Sequence, residues 1–264
     1  MARLARFSDE GQIHYGLLRD NDTLQVIQGD ILREWQETER FVKLEQVTLL
    51  APVAPPNVIA IGLNYRAHAI ESDMPLPERP VIFFKITTAV CGPNDPIVLP
   101  RMAPDEVDYE CELAIIIGKE AKHVTKADAH DYVLGYTCSN DVSARDCQIR
   151  LDAQWARGKS FDTFAPLGPW IETELDPDNV GIRTRLNGRT MQDSNTNDLI
   201  FDTRTLISYL SDAMTLLPGT VIMTGTPSGV GFARKPPVFL RDGDVVEIEV
   251  DGIGTLRNPV VAET

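Results

Sequence analysis

Val107-Asp108-Tyr109-Glu110-Cys111-Glu112-Leu113-Ala114-Ile115-Ile116-Ile117-Gly118 is the stretch on which the reading of this chain turns. Leu113 to Ile117 is an unbroken apolar run closed by a glycine, the pattern of a strand buried on both faces. Glu110 and Glu112 lead straight into it. Side chains alternate along a strand, so both carboxylates point one way and Cys111 the other. A buried carboxylate is costly unless it is paired or bound to a cation, and two side by side repel. Either this strand end dips into solvent and the glutamates are ordinary surface groups, or something positive, such as a divalent metal ion, lies between them.

The surrounding chain has 264 residues, enough for one large domain or a domain with a small appendage. Its hydrophobic content of 43% and charged content of 24% are those of a globular protein. A net charge of −14, with no basic cluster carrying interleaved aromatics, argues against nucleic acid and anionic membranes as partners. Small anionic substrates stay open, because a local Lys, Arg or metal outweighs the global sign. Residues 1–6 lack the apolar core of a signal peptide, and no apolar run spans a bilayer, so a cytoplasmic location is expected. Cys91, Cys111, Cys138 and Cys147 show neither CxxC pairing nor zinc-type spacing and are expected as reduced, mostly buried thiols.

Residues 1–54 are expected to form a small β-rich unit, and residues 55–264 a second, larger domain, with the proline-rich connector Ala51-Pro52-Val53-Ala54-Pro55-Pro56 between them. In the first unit Arg3–Phe7, His14–Leu18, Thr23–Ile27 and Val47–Leu50 read as strands, with a polar turn at Arg19-Asp20-Asn21-Asp22 and a short helix starting at Asp30–Trp35. Beyond the connector, Asn57–Gly62, Val81–Phe84, Ile97–Leu99, Val133–Cys138, Val221–Thr224, Val238–Leu240, Val245–Val250 and Thr255–Arg257 read as strands. Asn187-Gly188 between Ile182–Leu186 and Thr190–Asp193 signals a type I′ hairpin. Helices are expected at Tyr65–Glu71, capped by Asn64, at Lys126–Asp131, from Asn140 or Asp141 onward, and over Leu206–Leu217. Ser72–Pro80, with its three prolines, is a loop of the kind that forms lids. The fold class is therefore α+β, mostly β: a mixed, largely antiparallel core with peripheral helices.

Asp141 supplies a third carboxylate just after a strand. On a helix it would share one face with Arg145 and Gln148, at i, i+4 and i+7, which suits a metal and an anionic substrate; an ordinary helix start with a surface ion pair has the same spacing. Three carboxylates without a matching His or Cys favour Mg²⁺ or Mn²⁺, sometimes Ca²⁺. His68 and Glu71, three apart, can form a general-base dyad or a solvated surface pair. Lys159 lies among glycines and prolines that fix the backbone, where a Lys binds a carboxylate or enolate oxygen or simply faces solvent. Thr224-Gly225-Thr226-Pro227-Ser228-Gly229-Val230-Gly231 is neither a P-loop nor a dinucleotide fingerprint. It can offer backbone N–H groups and the Thr226 hydroxyl to a carboxylate, or be a tight turn between strands.

Taken in order, Asn64-Tyr65-x-x-His68-x-x-Glu71, Asp108-x-Glu110-x-Glu112-Leu113, Asn140-Asp141-Val142-Ser143-Ala144-Arg145, Gly158-Lys159-Ser160-Phe161-Asp162-Thr163 and Thr224-Gly225-Thr226-Pro227-x-Gly229-Val230-Gly231 resemble the fumarylacetoacetate hydrolase family. Each motif alone is weak, but five in one order are specific. The resemblance covers residue 55 or so to the end, and Ser194–Asn197 through Lys235–Pro237 look most like the domain-containing subgroup. It implies a β-roll-like core with a metal site in its mouth, commonly in homodimers. It implies Glu110, Glu112 and Asp141 as Mg²⁺ ligands, His68 and Glu71 as a dyad on the lid, and Lys159 as a substrate-contacting lysine. Thr163 matches a threonine near the metal, and Arg145, Gln148 and Thr226 match substrate contacts. A further acidic ligand that larger relatives draw from upstream has no counterpart located in this chain.

The activity so implied is Mg²⁺-dependent hydrolysis of a C–C bond in a 2,4-dioxo acid, such as an acylpyruvate or a fumarylpyruvate-like compound, through an enolate. The same site suits an oxaloacetate decarboxylase, or an isomerase or tautomerase of 2-hydroxy-diene dioates or of oxaloacetate. A non-catalytic metal or ligand binder is the third reading, and an intact His68–Glu71 pair counts against it.

Overall fold

The strand Cys111–Ile117 lies inside a large sheet, hydrogen-bonded antiparallel to Val133–Asn140 on one side and Val221–Met223 on the other. Its odd residues Leu113, Ile115 and Ile117 enter one core with Ile182, Ile248 and Leu256. Its even residues Ala114 and Ile116 enter a second core with Val58, Leu167 and Ile171. Apolar cores on both faces explain why the run is continuous rather than alternating. The protein is seen here as a computed structural model whose described residues are 2–20 and 22–264. Asn21, in the turn read from the sequence, lies outside them.

From one edge, the large sheet runs Trp35–Lys43, Thr23–Gly29, Gln12–Leu18, Arg3–Asp9, Ala165–Glu172, Val133–Asn140, Cys111–Ile117, Val221–Met223, Val58–Gly62 and Val81–Lys85. A five-stranded sheet, Arg189–Asn195, Gly181–Leu186, Val245–Val250, Gly254–Ala262 and Ile97–Leu99, covers one of its faces. Most pairs are antiparallel; Val221–Met223 with Val58–Gly62 and Gly254–Ala262 with Ile97–Leu99 are parallel. The class is α+β, mostly β, with few helices, as the sequence implied. The N-terminal strands continue the same sheet through Arg3↔Glu172 and Leu4↔Ile171. Leu4, Leu17 and Ile27 share a core with Val58 and Ala60, and a separate small core holds Phe7, Leu24 and Val26.

Several local expectations are corrected. Asp30–Trp35 is not helical: the Asp30 carboxylate accepts from Leu32 N–H at 2.9 Å, making an Asx-type turn into the strand Trp35–Lys43. Lys126–Asp131 yields only a 3₁₀ turn, Ala129–Tyr132, because Thr125 and Asp128 bond each other's groups locally. Val238–Leu240 is not a strand. The helix expected to Leu217 spans Thr203–Ala213, capped by Asp202, and then turns extended at Met214. No helix starts at Asn140 or Asp141. Their N–H groups and those that follow are claimed at long range: Asp141 N–H by Glu110 O at 2.9 Å and Val142 N–H by Phe164 O at 3.1 Å. Ser143–Ala144 then pairs with Val107–Asp108, and the helical turn begins only at Asp146.

The helix Arg66–Glu71 is present, but Asn64 does not cap it. Asn64 is buried and ties three segments, donating to Thr224 O and Phe201 O and accepting from Phe201 N–H. Asp198 takes the capping role instead, accepting from Ala67 N–H at 2.9 Å. The hairpin at Asn187-Gly188 has positive φ at both residues, as type I′ requires. The four cysteines are free and buried. No helix among the described residues is long and apolar enough to cross a membrane.

Candidate active site

A cleft of about 630 Å³ opens at the end of the Cys111–Ile117 strand. Glu110, Glu112, Asp141, Lys159 and Arg145 lie on its wall, with His68, Glu71, Gln148 and Thr226 around them. Phe83, Trp155, Phe232 and Met74 supply apolar walls. Every candidate residue named from the sequence as ligand, dyad or substrate contact therefore meets in one place. Thr163 does not line it; its hydroxyl accepts from Val98 N–H at 2.8 Å. Asp141, Arg145 and Gln148 arrive without a shared helix, brought together by the extended segment and the turn that follows.

One ligand oxygen from each of Glu110, Glu112 and Asp141 lies within 4.8 Å of the others, and all three residues are buried. Two of the three are matched by cations. Lys159 Nζ donates to Glu110 Oε2 at 2.7 Å and to Asp141 Oδ2 at 2.6 Å. Arg145 Nη2 donates to Glu110 Oε1 at 2.6 Å, and Lys85 Nζ donates to Asp141 Oδ1. Burial alone would raise the Glu110 carboxyl, but the charges of Arg145 and Lys159 outweigh it and hold it below the usual range. Burial likewise opposes the charge of Lys159, and Asp141 and Glu110 overcome it, raising its pKa. Among the described residues, the Glu112 carboxylate accepts from the Gly225 N–H alone, at 2.8 Å. Burial, then the charges of Asp141 and Glu110, push its carboxyl well above the usual value. The donor set thus fits a hard divalent cation: all oxygen, buried, and short of positive charge at Glu112.

Lys85 is a site residue that sequence reasoning missed. It ends the strand Val81–Lys85, fully buried, and donates to Val142 O at 3.1 Å as well as to Asp141. Burial lowers its pKa, and Asp141 offsets this only in part. Asp108 is a second residue of this kind. It anchors Arg145 through Nε at 3.1 Å and Nη2 at 3.0 Å, and it accepts from Gly231 and Phe232 N–H groups. The Arg145 guanidinium also lies over the Phe232 ring, 4.3 Å from its centroid. Its Nη1 donates to Gln148 Oε1 at 2.8 Å. Only a buried ion in a strand, with a partner 56 positions away, could have signalled Lys85 in advance.

The glycine-rich loop spends its backbone on the protein's own carboxylates. Gly225 N–H reaches Glu112, Gly231 N–H reaches Asp108, and Gly229 N–H reaches both oxygens of Glu71 at 2.9 and 3.1 Å. Gly225 and Gly229 have positive φ, and a Cβ at Gly225 would meet Asn64 Cβ at 2.7 Å. Glu71 Oε2 lies 3.1 Å from His68 Nδ1, so the dyad is formed and its carboxylate is held by the loop. In the tautomer that carries its hydrogen on Nδ1, the imidazole donates to the Glu71 carboxylate and Nε2 is left as its acceptor nitrogen.

The family model described as fumarylacetoacetate (FAA) hydrolase C-terminal matches residues 57–261, and one described as Rv2993c-like, N-terminal, matches residues 2–52. The chain belongs to the fumarylacetoacetate hydrolase family and is an enzyme of that family. Among relatives, a fumarylacetoacetate hydrolase domain-containing protein 2 homolog from Dictyostelium discoideum is 50% identical, over 84% of this chain and 76% of its own. A mitochondrial oxaloacetate tautomerase from Xenopus laevis is 49% identical, over 84% of this chain and 71% of its own. Among solved structures, a 5-carboxymethyl-2-hydroxymuconate delta-isomerase from Mycobacterium smegmatis superposes with a TM-score of 0.90 at 47% identity, covering 99% of this chain and 100% of that one.

Proposed function

We propose that the cleft binds a small anionic 2-oxo acid together with a divalent cation, Mg²⁺ in the first place with Mn²⁺ or Ca²⁺ as substitutes, and interconverts keto and enol forms of that acid. Oxaloacetate or a 2-hydroxy-diene dioate is the substrate class. The observation that carries this is the buried triad Glu110, Glu112 and Asp141, ringed by Lys159, Lys85 and Arg145 and facing a formed His68–Glu71 dyad. The names of similar proteins, an oxaloacetate tautomerase and a hydroxymuconate isomerase, support the same class.

A cation held by the three carboxylates supplies Lewis-acid polarisation of the substrate's 2-oxo group. The chain does the rest. Lys159 Nζ, already poised between Glu110 and Asp141, stabilises negative charge on the enol oxygen. Arg145, Gln148 and Thr226 bind carboxylate oxygens, and the apolar walls exclude water. His68 Nε2 takes the proton from the carbon next to the oxo group and delivers it to the enolate oxygen, the reverse direction moving the same proton from the enol O–H back to carbon, with Glu71 stabilising the imidazolium that forms between. A second reading, hydrolysis of a C–C bond in an acylpyruvate or fumarylpyruvate-like acid, is favoured by the same dyad, which can deprotonate a water as readily as a carbon acid. Oxaloacetate decarboxylation needs the enolate but no base.

A panel of oxaloacetate (followed as tautomer and as CO₂ release), acetylpyruvate, fumarylpyruvate and a 2-hydroxy-diene diacid, run with and without EDTA, separates these. Enolisation that survives complete metal removal overturns the reading. A cytoplasmic location and a homodimer are proposed with it. Exposed Phe84 and Ile86, on and beside the edge strand Val81–Lys85, support the second. The division into residues 1–54 and 55–264 is proposed too, supported by the two separate family matches.

A further inference from the structure

Gln192 sits on the strand Arg189–Asn195, behind the glycine-rich loop, and does not line the cleft. It is 1% exposed, and its amide is fully engaged. Oε1 accepts from Cys111 N–H at 2.9 Å and from the Thr184 hydroxyl at 2.7 Å. Nε2 donates to Pro227 O at 2.9 Å and to Thr226 Oγ1 at 2.8 Å.

The sense of these bonds is fixed by the backbone. Cys111 N–H can only donate and the Pro227 carbonyl can only accept, so the amide oxygen faces the first and the amide nitrogen the second. One amide hydrogen goes to Pro227, and the other falls on Thr226 Oγ1. Thr226 must accept it. Its own single hydrogen is then free for another acceptor, and no further bond to this hydroxyl is made among the described residues. Thr226 lines the cleft. A hydroxyl left to rotate would turn a lone pair toward the cleft as readily as its hydrogen.

We infer that Gln192 is a positioning residue that commits the Thr226 hydroxyl to donating, and so selects a carboxylate oxygen at that point of the cleft. This rests on the proposed function, in which Thr226 contacts the substrate. The same amide holds the N–H between Glu110 and Glu112, so one side chain ties the donor to the strand that carries the carboxylates.

The test uses oxalate, an unreactive stand-in for a 2-oxo acid, titrated calorimetrically into the full chain at saturating Mg²⁺. Gln192→Met and Thr226→Val are each expected to weaken oxalate about tenfold, the loss of one hydrogen bond to a charged group. In the Thr226→Val background, Gln192→Met is expected to add nothing. An effect of Gln192→Met that persists at full size in that background shows a role through the strand alone and overturns the inference. So does unchanged oxalate affinity in Gln192→Met while Thr226→Val is weakened. Unchanged affinity in Thr226→Val removes Thr226 from the substrate site, and the underlying reading of that residue falls as well. Should Gln192→Met fail to fold, Gln192→Glu keeps the oxygen that faces Cys111 and replaces the donor by an acceptor. Its penalty should shrink in the Thr226→Val background, and an equal penalty in both overturns the inference.

Discussion

Glu112 is the least compensated of the three carboxylates, with one backbone N–H and no ion-pair partner among the described residues. Its raised pKa has a definite sign. Above about pH 4.3, where an unfolded Glu has lost its proton, the folded carboxyl still holds one, so stability falls as pH rises toward the folded value. A bound cation replaces that proton. The rise in unfolding temperature on adding Mg²⁺ should therefore grow with pH across this window, as scanning calorimetry at several pH values will show. Glu112→Gln should raise the unfolding temperature of the cation-free protein, by about 2–4 °C per kcal/mol, and abolish most of the Mg²⁺ response. Lys85 behaves in the opposite way. Lys85→Met should cost about 3 kcal/mol in urea unfolding, because a buried pair loses one partner, and adding Asp141→Asn should recover part of that loss. The carboxylates were legible because two of them alternate onto one face of a recognisable strand. Lys85, Asp108 and Gln192 were not, because what makes each matter is a partner distant in the chain, and nothing in their immediate neighbours records it.

At the level of elements, strands were readable wherever a run had its own period and its own turns, as in the hairpin at Asn187-Gly188. The failures share a cause. Asp30, Asn64 and Asp141 were read as starting or capping helices, and each spends its polar groups elsewhere: on a turn, on a distant loop, and on two lysines. The same chemistry that caps a helix also closes turns and binds cations, and local sequence does not distinguish them. The real cap of Arg66–Glu71 is Asp198, more than a hundred residues away. Asp198→Ala should cost about 1 kcal/mol and, by loosening the helix that carries His68 and Glu71, lower turnover more than it lowers Mg²⁺ affinity. Chemical denaturation, steady-state kinetics and calorimetric titration of Mg²⁺ check the three parts.

On the scale of the whole molecule, the first four strands belong to the large sheet as much as to themselves. Removing residues 1–54 would strip the edge of Ala165–Glu172 and uncover Val58, Ala60, Leu167 and Ile171. Residues 55–264 expressed alone should therefore aggregate, whereas soluble, monodisperse protein on size exclusion would show that the catalytic part is self-sufficient.

The loop from Gly225 to Gly231 connects these scales. Its three glycine N–H groups address a proposed metal ligand, the dyad and the anchor of Arg145. Mutational damage along this short segment should accordingly be of three kinds. Blocking the approach at Gly225 would be felt as poor cation retention, at Gly229 as an impaired proton relay, and at Gly231, where a Cβ would lie 1.9 Å from Val238 O, as loss of the anion grip. Neighbours on one turn of backbone would then report three separate defects, and an inherited change there could shift one property of the enzyme while leaving the others in place.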